Sequence, residues 1–328
     1  MNLLGHSIPA VGMGCWQIGG EMFSGDLSIG YSRSDDAQSR ETIDAALDAG
    51  IKLFDTAPAY GAGHSENLLG DTLGNRDDVL IVTKFGLDID EGTRQITGQN
   101  TDPKSVLPAI EGSLRRLKRD RIDVLLLHLN SLDVAEALPM FDAVAEAHAA
   151  GKVGTFGWST DYTDNLVSLD GRVGFGACEH AMNVFFDPAR IQAAVAERDL
   201  VAFIRSPLAM GLLTGKFDAT SELPKGDVRA SGQTWLAYFE DGRPSAEFLG
   251  MLDAVRELLQ IGGRTLTQGA LGWLWAKSAK NFPVPGARTP AQIRDTAEAI
   301  EKGPLPANVM AEIEALIDRG EPEPERDR

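Results

Sequence analysis

Four apolar stretches, each followed by a polar residue, decide the fold of this chain: IKLFDTAPAYG (51–61), VLIVTKFG (79–86), IDVLLLHLN (122–130) and VGTFGWST (153–160). Runs of Val, Ile, Leu and Phe are typical of buried parallel strands. An ionisable side chain at the end of such a strand is costly to bury unless it has a partner or a function. We therefore expect Asp55 with Tyr60, then Lys84 and His128, to converge on one proton-transfer site.

Composition limits the class of protein. The chain has 328 residues, of which 43% are hydrophobic, and no apolar stretch reaches the ~20 residues that span a bilayer. A formal charge of −17 argues against nucleic acid as a partner and requires a local basic patch for any anionic cofactor. The first residues, MNLLGHSIPAVGMG, show neither a basic region nor a continuous apolar region, so we do not expect secretion, and Cys15 and Cys178 lie far apart in the sequence. We expect a cytoplasmic protein without a membrane span or disulfide framework.

Strand-like and helix-like segments alternate along the chain and indicate one repeated unit. Such alternation implies a parallel sheet with helical crossovers, and polar strand ends favour a single closed (β/α)8 TIM barrel, with no Rossmann domain and the site at its C-terminal face. The strand-like runs are 51–55, 79–83, 122–127, 153–157, 175–181, 200–204 and 281–285, with the eighth strand expected near 303–306. Helical periodicity covers 36–49, 104–118, 135–150, 187–198, 248–260, 266–279 and 290–301.

The same pattern predicts the domain organisation. The barrel should span 1–318 without a linker, and the charged, proline-bearing tail 319–328 should be disordered. Two longer polar stretches, 86–103 and 216–247, are expected to be loops over the mouth of the barrel.

Several common motifs fail in this chain. GMGCWQ (12–17) and GAGHSE (61–66) lack the third glycine of a dinucleotide-binding turn. GLLTGKF (211–217) departs from a phosphate loop at both ends, since Met210 and Phe217 replace the required glycine and hydroxyl residue. No His-x-His stands on a strand, and neighbouring strand residues such as Glu179 and His180 point to opposite faces. We therefore expect no catalytic metal.

The four polar residues have a definite joint chemistry. A free phenol titrates near ~10, and a nearby ammonium lowers that pKa, so Lys84 would make Tyr60 a usable proton donor. Asp55 would hold Lys84 in place, and His128 could orient a carbonyl oxygen or relay a proton. Each residue alone has an ordinary structural explanation as a cap, an ion pair or a packed histidine. Their joint occurrence at successive strand ends favours a site.

These residues lie within longer stretches that resemble the aldo-keto reductases: FDTAPAYGAGHSENLLG (54–70), TKFG (83–86), SLRRLKRDRIDVLLLH (113–128), GKVGTFGWST (151–160), SPLAMGLLTGK (206–216) and PGARTPAQIRDT (285–296). The resemblance covers almost the whole chain. It implies a (β/α)8 barrel that binds an extended nicotinamide cofactor, with Asp55, Tyr60, Lys84 and His128 as catalytic tetrad. Tyr60 would then be the general acid of carbonyl reduction or the base of alcohol oxidation.

The resemblance also implies the cofactor contacts. Ser159 would hold the carboxamide, segment 206–216 the pyrophosphate, and Arg288 with Gln292 the adenosine end, with NADP(H) preferred over NAD(H). The full set is Ser159, Thr160, Glu179, Asn183, Arg205, Ser206, Leu208, Gly211, Leu212, Lys216, Gly286, Arg288 and Gln292.

Four of these positions depart from the family, and one of them is Gly286, which replaces the lysine of many relatives. Thr160 replaces an asparagine, Glu179 a glutamine and Arg205 the tyrosine that stacks on the nicotinamide. Because both charged substitutions should lie at matching depths on neighbouring strands, we predict a Glu179–Arg205 ion pair beside the ring.

The resemblance implies a soluble enzyme that reduces an aldehyde or ketone, which includes sugar-derived carbonyls. A sugar or alcohol dehydrogenase working oxidatively, and a cofactor-binding regulatory subunit, are the alternatives. Trp16, Trp158 and Phe85 are candidate walls of the substrate pocket. Phe23, Tyr31, Trp235 and Phe239 lie in loops that could cover it, although ordinary packing is the favoured interpretation of the last two. Neither the natural substrate nor the oligomeric state can be predicted from these residues.

Overall fold

Eight parallel strands form one closed ring in the computed structural model, which describes residues 1–32, 34–233 and 236–320. Each strand pairs with the next along the chain, and the ring closes where Gly14 bridges Gly286. The predicted single (β/α)8 barrel is confirmed. The strands are β1 Met13–Gly14, β2 Leu53–Asp55, β3 Leu80–Phe85, β4 Ile122–Leu127, β5 Val153–Ser159, β6 Phe175–Ala181, β7 Val201–Arg205 and β8 Asn281–Pro283.

Helices follow the strands and cover the outside of the ring. They are α1 Trp16–Gly19, α2 Asp36–Asp48, α3 His64–Leu73, α4 Pro103–Leu117, α5 Val134–Ala149, α6 Thr163–Val167, α7 Ala189–Glu197, α8 Ala246–Leu259, α9 Leu266–Lys277, α10 Pro290–Lys302 and α11 Ala307–Leu316. Asp35, Asp102, Asp133 and Thr289 cap helices by accepting a first-turn backbone N–H. The segments predicted from periodicity are all present, whereas α1, α3, α6 and α11 were not predicted.

The predicted position of the eighth strand was wrong. Residues 303–306 connect α10 to α11, and the strand missing from the sequence prediction is β1, the first of the ring. β1 has only two residues and is flanked by glycines, so it shows no apolar run. A Cβ on Gly14 would lie 2.5 Å from the Val284 carbonyl oxygen. Glycine is therefore needed for β1 to fit between β2 and β8.

Inward-facing side chains fill the barrel in a way that determines where the polar residues lie. Leu53, Val82, Leu126, Ala177 and Phe203 belong to the buried cluster inside the ring, which the N-terminal hairpin (Asn2–Leu3 and His6–Ser7) closes at one end. Successive strand residues alternate between faces, so the residue two positions later faces inward again. The residues at that position are Asp55 in β2, Lys84 in β3, His128 directly after β4, Glu179 in β6 and Arg205 in β7. The strands thus carry these polar side chains to one mouth.

The two predicted loops contain more structure than expected. Segment 86–103 forms a hairpin, Leu87–Asp90 with Gln95–Gln99, which joins Phe23–Ser24 and Leu27–Ser28 in a small sheet. Segment 216–247 contains a short turn at Val228–Ala230 and a hairpin of Phe239–Glu240 with Arg243–Pro244. The Val228 amide donates to the Gly30 carbonyl at 2.8 Å, which joins this segment to the loop after β1.

Two further expectations concern extent and environment. The division into a barrel of 1–318 and a tail of 319–328 stays a prediction, because 321–328 lie outside the described residues. Within the described part of the chain, no helix has the length and apolar character needed to cross a membrane.

Candidate active site

A buried lysine is the centre of the site. The Lys84 ammonium donates hydrogen bonds to Asp55 Oδ1 at 2.7 Å, to the Thr56 carbonyl at 3.1 Å and to the Tyr60 hydroxyl at 3.1 Å. Its Nζ also lies 3.2 Å from Glu179 Oε2. The Lys84 side chain is 0% exposed. The structure thus brings Asp55, Tyr60 and Lys84 together as the sequence predicted, with Glu179 as an additional neighbour.

Tyr60 lies at the mouth, on the loop that follows β2. Its ring stacks on Trp16 with centroids 5.9 Å apart, and the His128 ring meets it edge-on at 6.0 Å. The Tyr31 ring also packs edge-on against Trp16, with ring centroids 5.1 Å apart. These aromatic contacts orient the phenol, while both Tyr60 and His128 remain partly exposed. A substrate oxygen at the mouth could therefore reach the phenol and the imidazole together.

The electrostatics of the site set the protonation states. Burial raises the pKa of Tyr60 above its ordinary value, and the nearby Lys84 ammonium opposes that shift. Burial also places the pKa of His128 well below its ordinary value, so the imidazole is neutral. Burial alone would lower the pKa of Lys84, but the Asp55 and Glu179 carboxylates together raise it well above the ordinary value. Lys84 is therefore charged and Tyr60 protonated at neutral pH.

The predicted Glu179–Arg205 ion pair was wrong. Glu179 pairs with Lys84, whereas Arg205 forms its ion pair with Asp161. The strand register explains the difference, because Glu179 lies beside Phe203 and Arg205 lies beside Ala181. Arg205 is thus one inward-facing position nearer the mouth than Glu179.

The residues proposed to hold a carboxamide fall into two groups. Ser159 faces inward, and its hydroxyl donates to Glu179 Oε1 at 3.2 Å. Asn183 donates to the Ser206 carbonyl at 3.1 Å and to the Tyr238 hydroxyl at 2.7 Å. The buried Thr160 hydroxyl donates to the Asn130 carbonyl at 2.7 Å. Ser159 is therefore beside the catalytic cluster, whereas Thr160 connects the loops after β4 and β5.

The segment after β7 has a backbone suited to phosphate oxygens. Positive φ angles occur at Ser206 (53°), Ala209 (47°), Met210 (54°), Gly211 (100°) and Gly215 (73°). Left-handed backbone at residues other than glycine stores strain and clusters at ligand sites. Leu208 and Leu212, two other predicted contacts, are buried within this segment. A Cβ on Gly211 would lie 3.5 Å from Lys216 Nζ, so this glycine is directly beside the ammonium.

Three cations meet next to that segment. Partial burial, followed by the charges of Arg229 and Arg288, lowers the pKa of Lys216. The Arg229 guanidinium is held by Asp227 at 2.8 Å and by the Met210 carbonyl at 3.1 Å. Convergence of cations beside a strained, glycine-containing turn fits the diphosphate of a dinucleotide. This cluster is therefore the candidate for the local basic patch that an anionic cofactor would require.

The residues of the predicted adenosine end lie at the start of α10. Arg288 donates to the Ser32 hydroxyl at 3.3 Å and to its carbonyl at 3.1 Å. Its backbone amide donates to Gln292 Oε1 at 2.8 Å. Gly286 lies tightly against the Gln17 side chain, since a Cβ there would be 1.9 Å from Gln17 Oε1.

Two of the three pocket candidates do not face the mouth. Trp158 is buried in the layer between strands and helices, where its ring packs 5.4 Å from Phe141 and its Nε1 donates to the Leu129 carbonyl. Phe85 lies in the same layer, 6.3 Å from Phe141. Because neighbouring strand residues alternate, inward-facing Lys84 and Ser159 force Phe85 and Trp158 outward. Trp16 stacks on Tyr60 at the mouth, so its place in a pocket wall stays a prediction, and Trp235 is outside the described residues.

Sequence reasoning missed Asp161, Arg229 and Gln17. Asp161 directly follows the SerThr pair that ends β5, which was a usable signal for a residue at the mouth. Arg229 comes from a long loop whose path no periodicity reveals. Within the described part of the chain, no cluster of three or more His, Cys, Asp or Glu residues has the arrangement of a metal site.

The fold is a single (β/α)8 barrel, and at its mouth the Tyr60 hydroxyl contacts the buried Lys84 ammonium at 3.1 Å. The aldo/keto reductase family model matches residues 10–318, and this chain belongs to that family. Carbonyl reduction is the general activity of the family.

Two curated relatives illustrate the similarity. The chain is 28% identical over 305 residues to aldo-keto reductase YhdN of Bacillus subtilis (strain 168), covering 90% of this chain and 86% of that protein. It is 27% identical over 340 residues to an NADH-specific methylglyoxal reductase of Escherichia coli (strain K12), covering 95% and 97%.

Solved structures agree with the fold. The glycerol dehydrogenase AKR11B4 of Gluconobacter oxydans superposes with a TM-score of 0.78 at 25% identity, covering 96% of this chain and 93% of that one. An aldo-keto reductase of Klebsiella pneumoniae in complex with NADPH superposes with a TM-score of 0.67 at 20% identity, covering 97% and 93%.

Proposed function

We propose that this protein is an NADP(H)-dependent reductase that converts an aldehyde or ketone to an alcohol. The observation that carries the proposal is the contact of the Tyr60 hydroxyl with the buried Lys84 ammonium at 3.1 Å, at the open end of the barrel. A phenol in this position can donate a proton to a carbonyl oxygen as that oxygen gains negative charge. Family membership supports the reaction class. The roles proposed for single residues rest on the contacts of this chain's own side chains.

Each member of the site has a separate part. Tyr60 donates its proton to the substrate oxygen, and Lys84 stabilises the phenolate that remains. Asp55 holds Lys84 at 2.7 Å. The pKa of His128 is well below the ordinary value, so its imidazole is neutral. It can donate or accept a hydrogen bond with the substrate oxygen without adding a charge to the site. The nicotinamide, when bound, supplies the hydride.

The cofactor would be held by the residues beside the mouth. Ser159 would bond the carboxamide, and segment 206–216 with Lys216 would hold the diphosphate. Arg205 lies at the mouth with its side chain 35% exposed, so its plane can contact the nicotinamide although Asp161 binds its edge. The Asn183 side-chain amide donates to the Ser206 carbonyl and so stabilises the start of segment 206–216.

NADP(H) is preferred over NAD(H) because of the cations near α10. An arginine fork matches phosphate oxygens, and the N-terminus of α10 adds favourable backbone amides. The related Escherichia coli protein is described as NADH-specific, so family membership alone does not set the choice. The proposal therefore depends on Arg288 and its neighbours Lys216 and Arg229.

We expect Arg288→Ala to weaken NADPH binding on the order of tenfold or more, the effect of losing one charged hydrogen bond, and to change NADH binding much less. Fluorescence titration of the purified variant with both cofactors measures this. Arg294→Ala removes an exposed arginine of α10, the helix that follows Arg288, and is the matched control. Equal losses for the two cofactors, or no loss, would show that Arg288 does not read the 2′-phosphate.

The function is tested by following NADPH oxidation over a panel of aldehydes, ketosteroids, ketosugars and sugars. Turnover of at least one small aldehyde is expected. A protein that binds NADPH but oxidises it with no carbonyl compound would contradict reductase activity and favour the regulatory-subunit alternative. The intact Asp55, Tyr60, Lys84 and His128 set argues against that alternative.

The oxidative alternative uses the same residues, with Tyr60 as base. The similarity to a glycerol dehydrogenase keeps this direction open. Comparing rates with NADP+ and polyols against rates with NADPH and aldehydes decides between the two directions. We further propose a cytoplasmic location, which the buried free thiols of Cys15 and Cys178 support.

A further inference from the structure

Two buried carboxyl groups, those of Asp55 and Glu179, lie beside the single ammonium of Lys84. Asp55 Oδ1 is 2.7 Å and Glu179 Oε2 is 3.2 Å from its Nζ. The Asp55 and Glu179 side chains are only 6% and 2% exposed, respectively. The three N–H groups of Lys84 are already used by Asp55, Thr56 and Tyr60, and Glu179 Oε2 accepts no hydrogen bond. Glu179 is thus a buried carboxylate with an ion-pair partner but an unsatisfied oxygen.

A charge count shows the consequence. If Asp55 and Glu179 were both ionised, the cluster with Lys84 would carry one net negative charge in a site with little water, which is costly. The other nearby groups do not compensate, because His128 is neutral and Arg205 is paired with Asp161. Two carboxyl groups that share a buried site cannot both ionise easily.

The direction of the Asp55 pKa agrees with this count. Burial, then the neighbouring Glu179 carboxylate, raises the pKa of Asp55 to about 8, and Lys84 only partly opposes the shift. Both carboxyl groups contact the same Lys84 ammonium, at 2.7 Å and 3.2 Å, so they lie next to each other around Nζ. Neighbouring carboxyl and carboxylate groups can keep one proton in a hydrogen bond between them.

We propose that Asp55 and Glu179 hold one proton between them and that Glu179 is a positioning residue, which controls the acidity of Tyr60 through Lys84. The proposal rests on the proposed function, since it concerns the proton donor of that reaction. While the shared proton is present, Lys84 is balanced by one carboxylate. When the proton is lost, an added negative charge opposes formation of the Tyr60 phenolate.

The effect on the reaction follows from the proton balance. In reduction the Tyr60 O–H bond breaks, a new O–H bond forms on the product, and solvent later returns a proton to the phenolate. Extra negative charge beside Lys84 disfavours the phenolate, so kcat should fall as pH rises through about 8, where the pair loses its proton. Glu179→Gln removes the like charge and should return the Asp55 pKa towards its ordinary acidic range, because Lys84 then stabilises the lone carboxylate.

The shared proton is tested on the free protein by infrared difference spectroscopy over a pH series. The wild-type protein should show the C=O band of a protonated carboxyl group that disappears as pH rises through about 8. Glu179→Gln should lack the band, and Asp55→Asn provides a second variant that should also lack it. Asp161→Asn removes a carboxylate at the same mouth that pairs with Arg205 and not with Lys84, so the band should remain.

A wild-type spectrum without this band below about pH 8, or a band that persists in Glu179→Gln, would overturn the shared proton. The control over Tyr60 is read from the pH profile of kcat. Wild-type enzyme should lose roughly tenfold in kcat across the step, the effect of about one pKa unit in the phenol, and Glu179→Gln should lose the step. An identical step in both enzymes would overturn the positioning role. Because the infrared measurement needs neither substrate nor cofactor, it remains decisive if reductase activity itself is absent.

Discussion

Tyr60→Phe is expected to lower the rate of carbonyl reduction by ~10²–10⁴-fold, the usual contribution of a general acid. The substitution removes the hydroxyl that contacts Lys84 at 3.1 Å and retains the ring that stacks on Trp16 and meets His128. Cofactor affinity should therefore stay close to that of the wild-type protein. Steady-state kinetics with a good aldehyde substrate, together with fluorescence titration of NADPH, measures both quantities.

Tyr162→Phe is the matched control, since it removes a phenol from a buried position at the start of α6, away from the Lys84 cluster. It should retain the wild-type rate. A loss of less than about tenfold in Tyr60→Phe would fall below the range for general acid catalysis and would show that another group donates the proton.

Lys84→Met is expected to cause a comparable loss of rate and, in addition, a loss of stability. Without the ammonium, the phenolate of Tyr60 loses the cation that its oxygen contacts at 3.1 Å. Two buried carboxyl groups, Asp55 and Glu179, would also lose their only close ion-pair partner among the described residues. Removing one partner from a buried ion pair typically costs about 3–5 kcal/mol, because the remaining charge is left uncompensated.

Urea unfolding of the wild type, Lys84→Met, Glu179→Gln and the double variant measures this coupling. The double variant should recover part of the free energy of unfolding that Lys84→Met loses, because it buries one carboxylate fewer. Strictly additive changes would mean that Lys84 and Glu179 do not interact energetically, which is incompatible with their 3.2 Å separation in a dry site.

The sequence was sufficient to predict the barrel and the proximity of Asp55, Tyr60 and Lys84 at its mouth. β2 to β8 were predicted because most are apolar runs, and the polar residues that follow them are anomalies that buried strands do not otherwise tolerate. β1 was missed because two residues among glycines leave no apolar pattern. β1 forms because its backbone pairs with β2 on one side and bridges the end of β8 on the other. This pairing exists only in the assembled sheet, so no local sequence pattern reveals it.

The errors at the site have a common origin in strand register and alternation. A sequence does not show that Glu179 lies beside Phe203 while Arg205 lies beside Ala181, so the predicted ion pair joined residues at different depths. The outward orientation of Phe85 and Trp158 could have been predicted, because successive residues of β3 and β5 alternate between the two faces of the sheet. Neither residue can face the mouth if its neighbour Lys84 or Ser159 does.

The most direct test of Tyr60 as proton donor is a crystal structure of the protein with NADP+ and an unreactive carbonyl compound. The geometry described above predicts that the ligand oxygen lies ~2.6–3.2 Å from the Tyr60 hydroxyl, the range needed for proton transfer, with His128 as its second contact. A ligand oxygen held elsewhere in the mouth, beyond hydrogen-bond reach of Tyr60, would contradict the assignment.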